Sequence, residues 1–167
     1  KVLKVGILGL GTVGGGTYTI LTENKAVIEK RTGCSVEVAR ILDRRKKEGV
    51  PEYLYTEDPD EVIACSDIDL VVETLGGIEP ATSFMVQAME HGKHVVTANK
   101  AAVAANYQKL TETAAKNGVQ FLYEASVGGG IPIIRPMWQC LAANQITSVA
   151  GILNGTCNYI LTKMERE

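Results

Sequence analysis

Short apolar runs alternate along this chain with longer segments in which apolar residues recur at helical spacing. The runs are KVGILGL (Lys4 to Leu10), VEVARIL (Val36 to Leu42), DLVVETL (Asp69 to Leu75), HVVTA (His94 to Ala98) and QFLYEA (Gln120 to Ala125). They are rich in β-branched and aromatic residues, and the first, third and fourth run apolar without strict alternation. That pattern predicts strands covered on both faces, and so a parallel sheet. The segments between them carry helix punctuation. Asp58 reads as an N-cap, with Pro59 at the first helical position and Glu61 as its capping-box partner. Phe84, Met85, Ala88 and Met89 share one face of a helix that stops at Gly92, and Asn106 to Asn117 reads as a helix that stops at Gly118. Strand and helix in alternation predict an α/β fold with a right-handed, doubly wound parallel sheet.

Composition narrows the partners more than the fold. With 167 residues, 46% of them hydrophobic, the chain can bury one full core. A formal net charge of -2 supplies no basic field, so a small molecule is the expected partner, and neither nucleic acid nor an anionic membrane is. No apolar run approaches the ~20 residues needed to span a bilayer. The opening KVLKVGILGLG lacks the cleavage site of a signal peptide, and a start at Lys1 rather than Met predicts some trimming there. Cys34, Cys65, Cys140 and Cys157 show no C-x-x-C spacing, which suits reduced thiols in a cytoplasm better than a disulfide framework or a zinc site.

Five stretches after strand ends carry candidate chemistry. Gly9-Leu10-Gly11-Thr12-Val13-Gly14 follows the first strand and opens a helix. Backbone N–H groups at such a turn face a diphosphate, and the glycines permit the tight turn and the close approach. The second strand ends in Asp43-Arg44-Arg45-Lys46-Lys47. An acidic residue there accepts the ribose 2′-OH of NAD and arginines accommodate the 2′-phosphate of NADP, so the cluster tilts toward NADP with NAD still open. Lys46 and Lys47 read as a solvated loop. Thr74 in ETLGG and Lys100 in TANK follow the third and fourth runs, where open α/β sheets bind ligands, although a lysine after a strand is commonly just a solvated charge. Tyr123 to Pro132 contains three successive glycines before a helix start at Pro132. They suit a hinge between domains, or backbone carbonyls turned with Glu124 around a hard cation.

Taken together, GLGTVGGG, ETLGG, VVTANKA, YEASVGGGIPII and GILNGTCNYILTKM resemble the homoserine dehydrogenase family over nearly the whole chain. The resemblance implies a Rossmann-type NAD(P)-binding domain and interconversion of homoserine and aspartate 4-semialdehyde. It assigns Gly9, Gly11, Thr12, Val13 and Gly14 to the cofactor loop, Arg44 to the NADP phosphate, and Thr74 to a cofactor contact. Lys100 becomes the active-site lysine beside nicotinamide and substrate. Glu124, with the carbonyls of Val127, Gly129 and Ile131, becomes a monovalent-cation site, usually sodium. Asn154, Gly155 and Thr156 become the entry to the substrate domain. Asp43 is the departure, because an acid beside Arg44 permits NAD as well.

The expected organisation is a nucleotide-binding domain over residues 1–145. Residues 146–167 then form the first strand and helix of an α+β substrate and dimerisation domain. The chain reads as an inactive cofactor-binding piece of a homodimeric enzyme, with Ile152, Leu153 and Leu161 left exposed. Two rivals stand beside this reading. A semialdehyde dehydrogenase of the cysteine type would use Cys157 as nucleophile, but His91 and His94 flank a distant turn and no base is at hand. A non-catalytic NAD(P) sensor would leave Lys100 and the NGTCNY turn without purpose.

Overall fold

The computed structural model describes residues 2–152 and 154–166. Strands β1 (Val2–Leu8), β2 (Ser35–Leu42), β3 (Tyr55–Thr56), β4 (Leu70–Glu73), β5 (His94–Thr97) and β6 (Phe121–Leu122) alternate with helices. The helices are α1 (Thr12–Glu23), α2 (Lys25–Thr32), α3 (Asp60–Ile63), α4 (Ala81–Glu90), α5 (Lys100–Asn117) and α6 (Gly155–Arg166). All strand pairs are parallel, in the order β3-β2-β1-β4-β5-β6. This is the doubly wound order of a dinucleotide-binding sheet, with its switch point between β1 and β4.

The absence of alternation in the apolar runs has the expected cause. Val5 and Ile7 of β1 pack with Leu10, Ile41 and Val72 in one cluster. Leu8 packs with Val62, Ile63, Val71, Met85 and Met89 in another. Adjacent residues thus feed opposite faces of the sheet. Each fully buried aliphatic side chain of this size contributes roughly 1.5–3 kcal/mol. On the second face α3 lies so close to β1 that a Cβ at Gly6 would stand 2.4 Å from Val62 Cγ1.

Several local expectations change. Strand β3, two residues long, was not legible, because its ends are defined only by pairing with β2. Asp58 still serves the start of α3, since its Oδ1 accepts from Asp60 N at 3.0 Å. The capping box does not form: Asp58 N donates to Thr56 Oγ1, and Glu61 pairs instead with Arg40 at 3.3 Å. Helix α5 begins six residues before the expected Asn106, which sits inside it as a kink at φ -132°. The alanine-rich first turns carry little periodic signal, yet Ala102 and Val103 are buried. The helical stretch expected from Pro132 begins two residues later, at Ile134, and is π-helical over Pro136–Cys140. Residues 146–152 form no strand, since no neighbouring strand supplies ladder partners among the described residues. Helix α6 forms with every described residue exposed, and Ile152 and Leu161 are 80% and 62% exposed. Leu153 lies outside the described residues.

Candidate functional site

Three chain segments meet at the C-terminal ends of β1, β2 and β4. The glycine turn leaves β1 through Gly9, whose φ of +90° places it in the left-handed region that favours glycine. Gly9 N donates to Leu42 O at 2.9 Å, which ties the turn to the end of β2. Gly11 is the N-cap residue of α1, so the N–H groups of Thr12, Val13 and Gly14 open the helix without intrahelical partners. Gly14 is buried because the helix passes directly over the turn. A Cβ there would stand 2.0 Å from Gly9 O and 2.6 Å from Thr74 Oγ1.

Thr74 closes the turn from the other side. Its hydroxyl donates to Gly9 O at 2.7 Å and reaches Leu8 O at 3.1 Å, and its N–H donates to Leu8 O at 2.9 Å. The cofactor-loop residues expected from sequence are therefore brought together, with Thr74 as the brace of their backbone.

The end of β2 resolves differently from its charge pattern. The Asp43 carboxylate accepts from Leu10 N at 2.6 Å and from Arg45 N at 2.9 Å, so it staples the glycine turn. Arg44, by contrast, is exposed, and among the described residues its guanidinium has no hydrogen bond or ion pair. It lines a cleft of about 580 Å³ whose apolar side is Leu42, Pro59, Pro80 and Phe84 and whose floor includes Gly9, Gly11 and Thr74. Lys46 pairs with Glu52 on the surface, as a solvated loop residue would. The Lys47 ammonium instead donates to Gly11 O at 2.9 Å, and the residue's own N–H donates to the Tyr55 hydroxyl. With Arg45, Gly11 and Thr12 it lines a neighbouring cavity of about 380 Å³. Lys47 is exposed, as expected of a loop residue, but its contact with Gly11 O sets it beside the glycine turn, and its place in a cationic run does not tell which cation makes that contact.

Lys100 is the first residue of α5, directly after its N-cap Asn99, whose Oδ1 accepts from Ala102 N at 3.1 Å. The helix macrodipole disfavours a cation at this end, so the position serves something other than helix stability. Asn99 Nδ2 donates to Gly77 O at 2.7 Å, which binds the start of α5 to the loop after β4.

Glu124 lies beyond β6 and accepts Ile133 N at 2.6 Å and Ile134 N at 3.0 Å on Oε1, and Arg135 N at 2.7 Å on Oε2. The Ile133 amide, then those of Arg135 and Ile134, hold its carboxyl below the ordinary value of 4.5, and the Arg135 guanidinium adds a smaller pull. Gly128 O accepts from Ile131 N, whereas the carbonyls of Val127, Gly129 and Ile131 accept no hydrogen bond among the described residues. Those three carbonyls keep open lone pairs, while the Glu124 carboxylate is engaged by three backbone amides.

Asn154, Gly155 and Thr156 start α6, far along the chain from this cleft. Asn154 Oδ1 accepts from Cys157 N at 3.0 Å as its N-terminal cap. Cys157 is exposed, and both histidines are engaged elsewhere, His94 Nδ1 with Gln120 N and His91 Nδ1 with Gln87 O. No base for a cysteine nucleophile stands beside it among the described residues.

Similarity to known proteins agrees with this geometry. A family model described as "Homoserine dehydrogenase, NAD binding domain" matches residues 9–124, and one described as "Homoserine dehydrogenase" matches residues 132–167. A homoserine dehydrogenase of Synechocystis sp. is 46% identical over 99% of this chain and 39% of its own length. That of Bacillus subtilis is 39% identical over 100% of this chain and 40% of its own length. The chain therefore spans about two fifths of these curated relatives. Among solved structures, a homoserine dehydrogenase from Thiobacillus denitrificans superposes with a TM-score of 0.91 at 44% identity, covering 100% of this chain and 39% of that one. One from S. aureus gives a TM-score of 0.80 at 35% identity, covering 100% of this chain and 43% of that one. The chain belongs to the homoserine dehydrogenase family, and its glycine-turn sheet is a nicotinamide-dinucleotide-binding domain.

Proposed function

We propose that this chain supplies the cofactor half of an enzyme that interconverts L-homoserine and L-aspartate 4-semialdehyde, with NADP preferred over NAD. The observation that carries the preference is the contrast at the end of β2. Asp43 spends its carboxylate on Leu10 N and Arg45 N, while Arg44 faces the cleft uncommitted. In this reading the cleft takes the adenosine, Arg44 meets the 2′-phosphate, and Lys47 adds positive charge beside the helix N-terminus. A guanidinium meets a phosphate through charge-assisted, bidentate hydrogen bonds, which is why it discriminates the two dinucleotides.

Calorimetric titration of the chain with each dinucleotide tests this. NADP is expected to bind more tightly, and Arg44→Ala to weaken NADP by about 10- to 100-fold with NAD unchanged. Equal loss for both dinucleotides would show that Arg44 does not read the phosphate.

The bound nicotinamide supplies hydride exchange with the carbonyl carbon of the semialdehyde. This chain's residues bind and orient. The N–H groups of Thr12, Val13 and Gly14 receive the diphosphate, Thr74 keeps their turn closed, and Lys100 donates to the substrate oxygen as charge develops on it. Residues 146–167 are read as the start of the substrate and dimerisation domain, entered through Asn154, Gly155 and Thr156.

Glu124 and the carbonyls of Val127, Gly129 and Ile131 would hold a monovalent cation, sodium being the expected one. Because the fold lowers the pKa of the Glu124 carboxyl, its ionised form stabilises the loop from Glu124 to Arg135 above pH 4.5, and that support is lost as pH falls below it. Trp138, the only tryptophan, stacks edge-on against Tyr123 at 5.8 Å and reports on the loop. Its fluorescence is expected to show an acid transition that moves to lower pH when choline is replaced by sodium. Glu124→Gln should abolish the transition and its sodium dependence; a transition unchanged in that variant would contradict the assignment.

A further inference from the structure

Glu73 ends β4 fully buried, and no ion pair engages it among the described residues. A carboxylate kept from water without a cation is costly to a fold, so its hydrogen bonds should have a use. Its Oε2 accepts from the Thr97 hydroxyl at 2.5 Å, and its Oε1 accepts from Leu75 N at 2.8 Å and from Asn99 Nδ2 at 3.4 Å. The Thr97 oxygen in turn accepts from Asn99 N at 2.9 Å, which leaves its single proton directed at Glu73. Asn99 has its Oδ1 occupied by Ala102 N, so its amide nitrogen must face Gly77 O and Glu73. Every partner of Glu73 is a donor. One side chain therefore joins the loop after β4, the end of β5 and the cap of α5.

We infer that Glu73 is a positioning residue that sets Lys100 against the cofactor side of the cleft. The inference rests on the reading of Lys100 given above. Lys100 follows Asn99 without an intervening residue, so the orientation of its backbone is inherited from a cap that Glu73 and Thr97 hold from below. The same carboxylate fixes Leu75, which with Thr74 and Gly76 lines the cleft. The cap before Lys100 and the cleft wall thereby share one anchor. A carboxylate is suited to this because it accepts on both oxygens with no donor of its own to satisfy.

The test uses a full-length enzyme carrying this chain. Glu73→Ala is expected to lower kcat on the order of 100-fold with the substrate KM little changed. Glu73→Gln should recover activity to within about tenfold of the parent, since its amide oxygen still accepts from Leu75 and Asn99. Thr97→Val, which is isosteric and leaves Glu73 in place, should fall in the same direction as Glu73→Ala. Combined with Lys100→Ala, Glu73→Ala should cost nothing further, because both act through one group. Additive losses, or a wild-type kcat in Glu73→Ala, would overturn the inference. Hydrogen exchange at the Ala102 amide separates this from the role of Lys100: it should quicken in Glu73→Ala even if Lys100→Ala proves fully active. Unchanged exchange would overturn the positioning role whatever the kinetics.

Discussion

Replacing Lys100 by alanine in the full-length enzyme is expected to lower kcat by about 100- to 1,000-fold while leaving dinucleotide binding nearly unchanged. The argument begins from placement. Lys100 is exposed at the first position of α5, at the C-terminal end of β5, which is the edge where open α/β sheets bind their ligands. A cation at a helix N-terminus opposes the macrodipole, so stability does not explain it. In the proposed reaction an ammonium there would stabilise negative charge on a carbonyl oxygen as hydride arrives, an interaction made in the transition state more than in the ground state. Its loss therefore lowers kcat rather than raising the cofactor Kd. Steady-state kinetics with both substrates, together with a dinucleotide titration, measures the two quantities separately. A Lys100→Ala enzyme with parental kcat would remove Lys100 from the mechanism.

The second large effect is expected at Gly14. Gly14→Ala should destabilise the chain by about 1–3 kcal/mol or more and abolish detectable dinucleotide binding. The methyl group would meet Gly9 O at 2.0 Å and Thr74 Oγ1 at 2.6 Å, and one of these is backbone that cannot swing away. Relief requires α1 to lift from the turn, which separates the N–H groups of Thr12 and Val13 from the diphosphate they would receive. Gly16, two residues on, is the internal control. It is exposed in the same helix, and an added methyl group there would have nothing within 4 Å. Gly16→Ala should therefore stabilise by about 0.5–1 kcal/mol. Thermal or urea unfolding of the two variants should give opposite signs. Equal and small effects would mean that α1 does not sit on the turn as described.

These two positions differ in how they could be found. Gly14 belongs to a local spacing, strand then G-x-G-x-x-G then helix, and that spacing by itself implies the close approach. Lys100 was ambiguous in the same reading, because a charged residue after a strand is ordinary. Its prominence came from the motif resemblance, and its place as the opening residue of α5 came from the fold. The expected start of that helix at Asn106 was late because an alanine-rich turn shows no apolar period, even though Ala102 packs into the core. Asp43 illustrates the opposite case: the local pattern offered it to a ribose, and the fold spends it on Leu10 N.

By itself the sequence determined the elements whose signals are local: the β-rich apolar runs, the αL glycine at the end of α5, the glycine turn between β1 and α1 and the parallel, doubly wound class. Those depend on residues two to four apart, where sterics and side-chain period act within one segment. Tertiary structure alone decided what joins segments. It turned Lys47 back across 36 residues to Gly11, folded Glu124 over the start of the next helical turn, and closed the Glu73, Thr97 and Asn99 network across 24 to 26 residues. Strand order and register choose those partners, and a hydrogen bond between distant residues leaves no periodic trace in either of them.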